Sequence, residues 1–299
     1  MKNRPYFSII VPTHNRVTLL TQTLDSILRQ NFGSYEIVIV DNCSTDGTEE
    51  MIKSYNKKHK NINYIRNKEN RERGYSRNIG LSMAKGTFAT FLDADDLMNQ
   101  TCLENAFRFI DSNKEVRFFK IAHGLYDPAT EEIKRIASNI EINQHKALCK
   151  ANFLSCIGVF IHKNIFSQIR FNEDPLFVGS EDYLVWFKPL ALNRLYMYNT
   201  VELLVRDHAN RSVYGHIYRN LDYQKRIVLE TLAKDNILRH TYWKYKRYIV
   251  SNYAYHQALD MCYNRRVKKA VYFFLVAILN NPGMLATRRA YAVIKAAIK

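Results

Sequence analysis

The stretch Gly86-Thr-Phe-Ala-Thr-Phe-Leu92, followed by Asp93-Ala-Asp-Asp96, indicates the fold of this chain most directly. The apolar segment is typical of a short buried strand entered from a glycine, so the acids stand at a strand's carboxyl end. In an open α/β sheet, ligands bind beyond the carboxyl ends of the strands. Asp93 and Asp95 can converge on one Mg²⁺ or Mn²⁺ ion, which commonly completes its ligand shell with water and phosphate oxygens. The alternative is a solvated acidic turn that caps the next helix.

Length and composition are those of a folded globular protein. The chain has 299 residues, of which 47% are hydrophobic and 13% aromatic, enough for one main core and a smaller second unit. Its five cysteines are scattered and lack paired metal-ligand spacing, which predicts reduced thiols and a cytoplasmic location. We find neither a signal-peptide pattern nor an apolar run near the roughly twenty residues of a spanning helix.

The positive charge is concentrated near the C-terminus. The net charge of the whole chain is +16, and residues 236–299 hold twelve Lys and Arg residues against one acid, Asp260, a net charge of +11. Such a region can meet nucleic acid or an anionic membrane surface. Its paired cations flank apolar stretches such as 271–279, a combination that an interfacial helix needs. We expect peripheral contact with the inner face of the plasma membrane, with packing as a helical subdomain as the alternative.

Strands and helices alternate over the first hundred residues. We predict strands at 7–11, 36–40, 63–66 and 87–92, and helices at 17–30, from 44 and at 75–84. This alternation predicts an α/β fold with a mostly parallel central sheet and helices on both faces. Beyond residue 96 the pattern is mixed: a helix at 103–110, strands near 116–122, 133–137 and 158–161, a helix from 180 and a hairpin over 195–206. From residue 213 onward the pattern is almost wholly helical, so the predicted domains are 1–212 and 213–299.

Motifs in the first hundred residues resemble those of family 2 glycosyltransferases with the Rossmann-like GT-A fold. They are Ser8-Ile-Ile-Val-Pro-Thr-His-Asn15, Val38-Ile-Val-Asp-Asn-Cys-Ser-Thr-Asp46, Arg77-Asn-Ile-Gly80 and Phe91-Leu-Asp-Ala-Asp-Asp96. Ser180-Glu-Asp182 and Arg206-Asp-His208 extend the resemblance to about residue 210. It implies transfer of a sugar from a nucleotide-diphosphate sugar, commonly a UDP-sugar, to a glycan or lipid-linked glycan. The pathway implied is bacterial capsule, O-antigen (lipopolysaccharide) or exopolysaccharide synthesis.

The resemblance also implies a donor site. Pro12, Thr13 and Asn15 belong to a loop over the nucleotide, and Asp41 with Asn42 receives the base; as strand ends and turn formers they also have a purely structural interpretation. Other predicted donor contacts are Arg77, which orients an aspartate or faces the phosphates, Ala94 of the metal motif, and Arg211, which closes with Tyr214 over the diphosphate. The predicted ligands of Mn²⁺ or Mg²⁺ are Asp93, Asp95 and His208.

Arg71 and Arg73 occupy a loop where the family often has a glycine. We expect both to be solvated, with contact to a phosphate or to the acceptor as the alternative.

The second half of the motif set supplies the reaction. By resemblance, Asp182 is the general base and Glu181 supports it, with Ser180 as the N-cap that fixes the first turn of the helix. The implied reaction is a single displacement that inverts the anomeric configuration. The structural alternative is that acids after an N-cap serine are favoured by the helix dipole alone. Tyr183 and Trp186 are expected either to stack on an acceptor sugar or to pack in the core.

Two other classes of function stay open. A catalytically decayed binding module with a basic tail would keep the fold without the reaction, but both aspartates and Glu181-Asp182 are retained and the chain shows no recognised nucleic-acid motif. A nucleotidyltransferase would typically carry a glycine-rich basic loop after the first strand, and Pro12-Thr-His-Asn15 contains no glycine. We therefore expect no nucleic-acid partner.

Overall fold

The computed structural model of the chain describes residues 4–137, 143–207 and 220–298. These residues form two compact units that alternate along the chain. The first unit comprises 4–137, 154–173 and 192–207, and the second comprises 143–153, 174–191 and 220–298. Two segments before residue 212, 143–153 and 174–191, thus group with the C-terminal helices. The division into domains at 212 and 213 itself stays a prediction.

The first unit is an α/β unit. Its strands are β1 Phe7–Thr13, β2 Tyr35–Asp41, β3 Ile62–Arg66, β4 Phe88–Phe91, β5 Leu97–Met98, β6 Phe118–Asp127, β7 Glu132–Ala137, β8 Val159–His162 and β9 Leu195–Arg206. Its helices are α1 Val17–Leu28, α2 Thr48–Lys58, α3 Arg73–Met83 and α4 Cys102–Ser112, with a 3₁₀ segment at Lys163–Gln168.

Among the described residues these strands form one mixed sheet in the order β3-β2-β1-β4-β8-β6-β9-β5, with β7 beside β6. Among β1 to β4 all pairings are parallel: Thr13 lies opposite Asp41, and Ile10 opposite Phe91. Parallel pairing brings the carboxyl ends of β1, β2 and β4 to one edge. Beyond β4, antiparallel β8 and the parallel pair β6–β9 complete the sheet. The predicted α/β fold class is confirmed.

One predicted element is wrong. Residues 195–206 form the single 12-residue strand β9 instead of a hairpin. The pairing with β6 steps from Tyr198 opposite Ile121 to Val201 opposite Ala122, so Asn199 and Thr200 are extra residues in the register. These polar residues resemble a turn in sequence but form a β-bulge, because β6 continues past them and gives the strand a partner on both sides of the irregularity.

Apolar periodicity explains how the sheet is covered. β1 is buried at all seven positions, and Leu20, Leu24 and Ile27 of α1 are 0% exposed in the same core. On α3, a Cβ at Gly80 would lie 2.3 Å from Ile10 Cγ2, so only glycine permits this close approach of helix to strand. That contact places the first turns of α3 beside the carboxyl-end edge.

The second unit is helical in its regular structure. Its α-helices are α5 Gln144–Lys150, α6 Glu181–Val185, α7 Phe187–Leu192, α8 Leu221–Lys234, α9 Asn236–Tyr242, α10 Lys246–Tyr263, α11 Val267–Asn280 and α12 Arg288–Ile298. Shorter 3₁₀ segments are Pro175–Phe177, Trp243–Tyr245 and Pro282–Ala286. The helical character predicted for the C-terminal region is confirmed in its described part.

Small residues let the C-terminal helices pack closely. Ala254 and Ala258 of α10 share a core with Ala270 and Ala277 of α11. The hydroxyl of Ser251 on α10 donates to the carbonyl oxygen of Ala277 at 2.7 Å. No helix in the described ranges is both long and apolar enough to cross a membrane. The five cysteines, all within these ranges, carry free thiols.

Candidate active site

Three carboxylates meet in the loop between β4 and β5. Asp93, Asp95 and Asp96 each offer an oxygen within 4.8 Å of the others. The loop backbone is held in place, because the hydroxyl of Thr23 on α1 donates to the carbonyl oxygens of Ala94 (3.0 Å) and Asp96 (2.8 Å). The amide of Asp96 closes the turn onto the carbonyl of Asp93 at 3.0 Å. The loop that carries the predicted acidic cluster therefore has a fixed backbone.

Arginines stand beside two of these carboxylates. Arg77 on α3 is 3% exposed, and its Nη2 donates to Asp93 Oδ1 at 2.8 Å. Arg16, at the start of α1, forms an ion pair with Asp95. Burial raises the pKa of Asp93, but Arg77, Arg73 and Arg16 outweigh burial and hold that pKa below its ordinary value. Asp93 is thus held in its ionised form at neutral pH.

The cluster fits a divalent metal ion by the chemistry of its donors. Carboxylate oxygens are the hard ligands that Mg²⁺ and Mn²⁺ prefer. The structure brings together Asp93 and Asp95, two of the predicted ligands, and adds Asp96, which was not among them. The third predicted ligand, His208, lies outside the described residues, as do Arg211 and Tyr214.

Asp41 lies at the end of β2 with every oxygen engaged. Its side chain is 0% exposed; Oδ1 accepts from the Ser44 amide at 2.9 Å and Oδ2 from the Tyr64 hydroxyl at 2.6 Å. Burial and this hydrogen bond raise the pKa of Tyr64. Arg66 lies 3.9 Å from the same carboxylate. A contact from Asp41 to a nucleotide base, which stays a prediction, would share an oxygen with these partners.

Asn42 holds the loop that precedes α3. Its amide nitrogen donates to Asn70 Oδ1 at 2.6 Å and to the carbonyl of Arg71, and its amide oxygen accepts from Asn67 (3.1 Å) and from the Arg71 backbone (2.9 Å). The Arg71 guanidinium pairs with Glu69 at 2.9 Å and is half exposed, in agreement with the expected solvated charge. Asn42 therefore has a clear structural role at the edge where donor contact is predicted.

The loop after β1 is tied to the loop after β2. The backbone N–H of Asn42 donates to the backbone carbonyl of Thr13 at 2.8 Å. The backbone N–H of Asn15 donates to Ser44 Oγ at 2.9 Å, and the side-chain Oδ1 of Asn15 accepts from the backbone N–H of Thr45 at 2.7 Å. Asn15 adopts a positive φ of 49°, which asparagine tolerates better than most residues. The predicted donor-loop residues Pro12, Thr13 and Asn15 thus lie beside Asp41 and Asn42 at one edge.

The predicted catalytic pair lies in the second unit, at the start of α6. Glu181 is 5% exposed, and its Oε2 accepts from the amide of Gly179 at 2.8 Å. Asp182 is half-buried. Ser180 occupies the N-cap position, but the predicted side-chain cap is wrong. Its hydroxyl donates instead to Gln224 Oε1 at 2.8 Å, because α8 supplies a partner that local sequence does not show.

Gln224 is a residue that the sequence did not single out. Its side chain is 1% exposed, and its Nε2 donates to the carbonyls of Leu176 (3.1 Å) and Val178 (3.3 Å). It therefore holds the turn that leads into α6. Tyr183 and Trp186, 4% and 0% exposed, pack in the core of this unit. Of the two expectations for these rings, core packing is confirmed and stacking on an acceptor sugar is wrong, because neither ring reaches the surface.

Arg16 is the other residue missed from sequence, although a signal was present. It stands directly after the loop that ends β1, whereas its partner Asp95 follows β4. Adjacent parallel strands end at the same edge, so a cation after β1 belongs beside an acid after β4. Predicting this ion pair requires knowing that β1 and β4 are neighbours in the sheet. The spacing of the motifs alone does not show that adjacency.

Comparison with known proteins finds glycosyltransferases similar to this chain. A relative in Methanocaldococcus jannaschii, described as an uncharacterized glycosyltransferase, is 27% identical over 258 residues, which cover 84% of this chain and 83% of that protein. The Staphylococcus aureus poly(ribitol-phosphate) beta-N-acetylglucosaminyltransferase TarS is 37% identical over 110 residues, 36% of this chain and 19% of that protein.

Solved structures show the same architecture. The crystal structure of S. aureus TarS 1–349 in complex with UDP-GlcNAc has a TM-score of 0.65 at 19% identity, covering 93% of this chain and 92% of that one. A mannosyltransferase from Pyrobaculum calidifontis in complex with GDP-Man and Mn²⁺ has a TM-score of 0.58 at 19% identity, covering 100% and 87%. These likenesses confirm the predicted GT-A fold. The family model for glycosyl transferase family 2 matches residues 8–170, more than half of the chain, and the protein therefore belongs to that family.

Proposed function

We propose that this glycosyltransferase is a metal-dependent inverting enzyme of the hexosyltransferase type. It transfers a sugar from a nucleotide-diphosphate sugar, a UDP-sugar in our proposal, to a hydroxyl of a glycan or lipid-linked glycan. The observation that carries the proposal is the group of three carboxylates within 4.8 Å at the carboxyl-end edge of the parallel strands. Hard oxygen ligands at that edge suit a cation that faces a diphosphate.

The metal part of the proposal assigns Mn²⁺ or Mg²⁺ to Asp93 and Asp95, with His208 as a further ligand. When bound, such an ion neutralises the charge of the departing nucleoside diphosphate. Arg77 on α3 holds Asp93 ionised and in place. Arg16, just before α1, forms an ion pair with Asp95. The chain itself therefore supplies both the ligands and the cations that orient them.

The donor part of the proposal places the nucleotide against the loops after β1 and β2. Its residues are Pro12, Thr13, Asn15, Asp41, Asn42, Arg77, Ala94 and Arg211. The support is that backbone and side-chain hydrogen bonds join the two loops, so a ligand at this edge would meet a rigid surface. The TarS structure contains UDP-GlcNAc and the P. calidifontis structure GDP-Man, which makes uridine our choice and guanosine the alternative.

The acid–base part of the proposal assigns proton removal to Asp182. Glu181 is buried and turned back onto the Gly179 amide, whereas Asp182 is only half-buried. This difference supports Asp182 as the base and Glu181 as the residue that holds the turn. The Asp182 carboxylate takes the proton of the acceptor hydroxyl while the hydroxyl oxygen forms a bond to the anomeric carbon of the donor sugar. The bond from that carbon to the diphosphate oxygen breaks on the opposite face, so an α-linked donor gives a β-linked product.

The acceptor part of the proposal is a cell-surface polymer. The name of TarS states that it modifies poly(ribitol-phosphate), and the resemblance implies capsule, O-antigen or exopolysaccharide synthesis. A lipid-linked acceptor would bring the enzyme to the inner face of the plasma membrane. We therefore include a cytoplasmic location with peripheral membrane contact through the C-terminal region.

The test is release of free nucleoside diphosphate from panels of UDP- and GDP-sugars, with Mn²⁺, Mg²⁺ or a chelator. Metal-dependent UDP release with acceptor, and a β-linked product by NMR, would support the proposal. GDP release alone would replace the uridine donor, and a retained anomeric configuration would overturn the single displacement. Release of pyrophosphate would indicate a nucleotidyltransferase reaction. Failure to bind any nucleotide-sugar would favour a decayed binding module.

A further inference from the structure

Helix α11 is apolar on its outer face as well as on its inner face. Ala270 and Ala277 are buried against α10. The α11 outer face is formed by five exposed side chains spaced along one side of the helix: Val267, Val271, Tyr272, Leu275 and Leu279. Leu275 and Leu279 are 53% and 78% exposed. A surface helix normally turns polar residues to solvent, so this face has the composition of a contact surface.

Exposed apolar residues continue beyond α11. Leu285 in the 3₁₀ segment is 58% exposed, and on α12 Tyr291 and Ile294 are 66% and 50% exposed. The exposed cations of this part of the chain are Arg265, Arg266, Lys268, Lys269, Arg288 and Lys295. The sequence from 263 to 298 contains neither Asp nor Glu. Two acids of neighbouring helices, Asp222 and Asp260, line one pocket with Arg266, Lys268 and Lys269. Apolar surface therefore occurs here together with an excess of positive charge.

We propose that the α11 outer face, with its neighbouring cations, is an interfacial anchor for an anionic lipid bilayer. The helix would lie along the interface with its leucines and valines below the headgroups and its lysines among them. Tyr272 combines an apolar ring with a polar hydroxyl, which suits the headgroup level. This inference deepens the peripheral location included in the proposed function, because it names the surface and the lipid charge.

Charge selects a lipid surface over the other occupants. A symmetric contact between two copies of the α11 outer face would place the same cations of both chains near one another, where like charges repel. An anionic leaflet attracts each of these cations instead. A nucleic acid would also attract the cations, but phosphates offer nothing to Leu275 and Leu279. Of these occupants, the anionic bilayer satisfies both components of the surface.

The experiment is co-sedimentation of the full chain with vesicles of phosphatidylglycerol and phosphatidylcholine, and with vesicles of phosphatidylcholine alone. We expect binding to the anionic vesicles that weakens as salt rises. Leu275→Glu with Leu279→Glu should weaken binding to the anionic vesicles about 100-fold or more. The variant loses two leucines that would insert into the bilayer and gains two negative charges. The matched control is Ile136→Glu with Leu192→Glu, which changes two other exposed apolar residues (52% and 44%) by the same charge and should bind like the parent.

A second pair of variants isolates the charge. Lys268→Gln with Lys269→Gln should weaken binding about 30-fold at low salt. Its control is Lys57→Gln with Lys58→Gln, an adjacent exposed pair at the end of α2. Parent-like binding by the leucine variant, or equal binding to both vesicle types, would overturn the proposal. So would a dimer that forms without lipid and is lost in the leucine variant. All variants are also assayed for UDP release without vesicles, so that loss of lipid binding and loss of catalysis are measured separately.

Discussion

Strand β1 and helix α11 are both rich in apolar residues, yet they lie in opposite surroundings. β1 is buried at every position, whereas α11 leaves Val271, Leu275 and Leu279 more than half exposed. In the first unit the apolar residues are covered by the protein itself, which fixes the strand ends and the acids that follow them. In the second unit apolar surface is left uncovered by the described residues. The comparison separates a region built for a precise site from a region whose surface suits an external partner.

The two regions also differ in how their charged side chains are balanced. After β4, Asp93 and Asp95 stand beside Arg77 and Arg16. Around α11 and α12 the cations have no acid within their own segment, 263–298. Compensated charge is what a preorganised site requires, because each group holds its neighbour in place. An excess of positive charge acts at longer range and favours anionic surfaces.

The largest expected effect comes from the acidic cluster. We predict that Asp95→Asn lowers glycosyl transfer about 1,000-fold or more, because a catalytic metal supplies several kcal/mol of charge stabilisation. The measurement is nucleoside diphosphate release at saturating donor over a range of Mn²⁺ concentrations. Asp111→Asn is the control, since the Asp111 side chain is 59% exposed and forms a surface ion pair with Lys114. Activity within about threefold of the parent would contradict the metal assignment, given that magnitude.

The second prediction separates Asp182 from Glu181. Asp182→Asn should lower kcat about 100- to 10,000-fold, the usual contribution of a general base, while donor affinity is kept. Glu181→Gln should retain more activity and instead lower the free energy of unfolding by about 1 kcal/mol, because its hydrogen bond to the Gly179 amide is weakened. Donor binding is measured by calorimetry and turnover by single-turnover kinetics. Loss of donor binding in Asp182→Asn with normal turnover of bound donor would place the base elsewhere.

The third prediction concerns pH and the helical unit. Burial, with Arg289 adding to it, lowers the pKa of His256 to about 4. The unfolded chain binds this proton near pH 6.5, so the stabilisation is complete above 6.5 and is lost as pH falls towards 4. The loss amounts to about 3 kcal/mol. Thermal unfolding of the parent and of His256→Gln over this pH range is the test. An equal pH slope in both proteins would contradict it.

The fourth prediction concerns the packing that positions α3. A Cβ at Gly74 would lie 2.4 Å from the carbonyl oxygen of Asn172, a backbone atom. Gly74→Ala should therefore lower the free energy of unfolding by about 1–3 kcal/mol. Gly33→Ala is the matched control, because a Cβ there meets no atom within 4 Å. Chemical denaturation compares the two, and equal stability would show that α3 shifts freely.

The smallest effect is expected at Arg16. Arg16→Gln removes the cation beside Asp95 and should weaken metal-dependent activity about tenfold, as loss of a group that orients a metal ligand usually does. Excess Mn²⁺ should restore part of the rate. Arg108→Gln is the control, since Arg108 is 70% exposed and pairs with Glu104 along α4. If Arg16→Gln needed the same or a lower Mn²⁺ concentration for half-maximal activity, Arg16 would not hold Asp95 for the metal.

The sequence by itself determined the fold class, the order of the motifs and the family. Continuous apolar runs and helical periodicity are local properties, and they predicted the strands around Ile9, Ile39 and Ala89 and the buried face of α1. Acids directly after a strand were recognisable for the same reason. The charge imbalance of the C-terminal region is likewise a property of composition alone.

Only the tertiary structure decided which distant groups meet. Arg16 reaches Asp95 across 79 positions, and Ser180 reaches Gln224 across 44. Those contacts depend on strand adjacency and on helix packing, which no local pattern contains. The bulge at Asn199 and Thr200 exists because β6 offers a partner on both sides of it. The exposed outer face of α11 was likewise decided by tertiary structure. The sequence shows which residues are apolar, but the fold determines whether another element covers them.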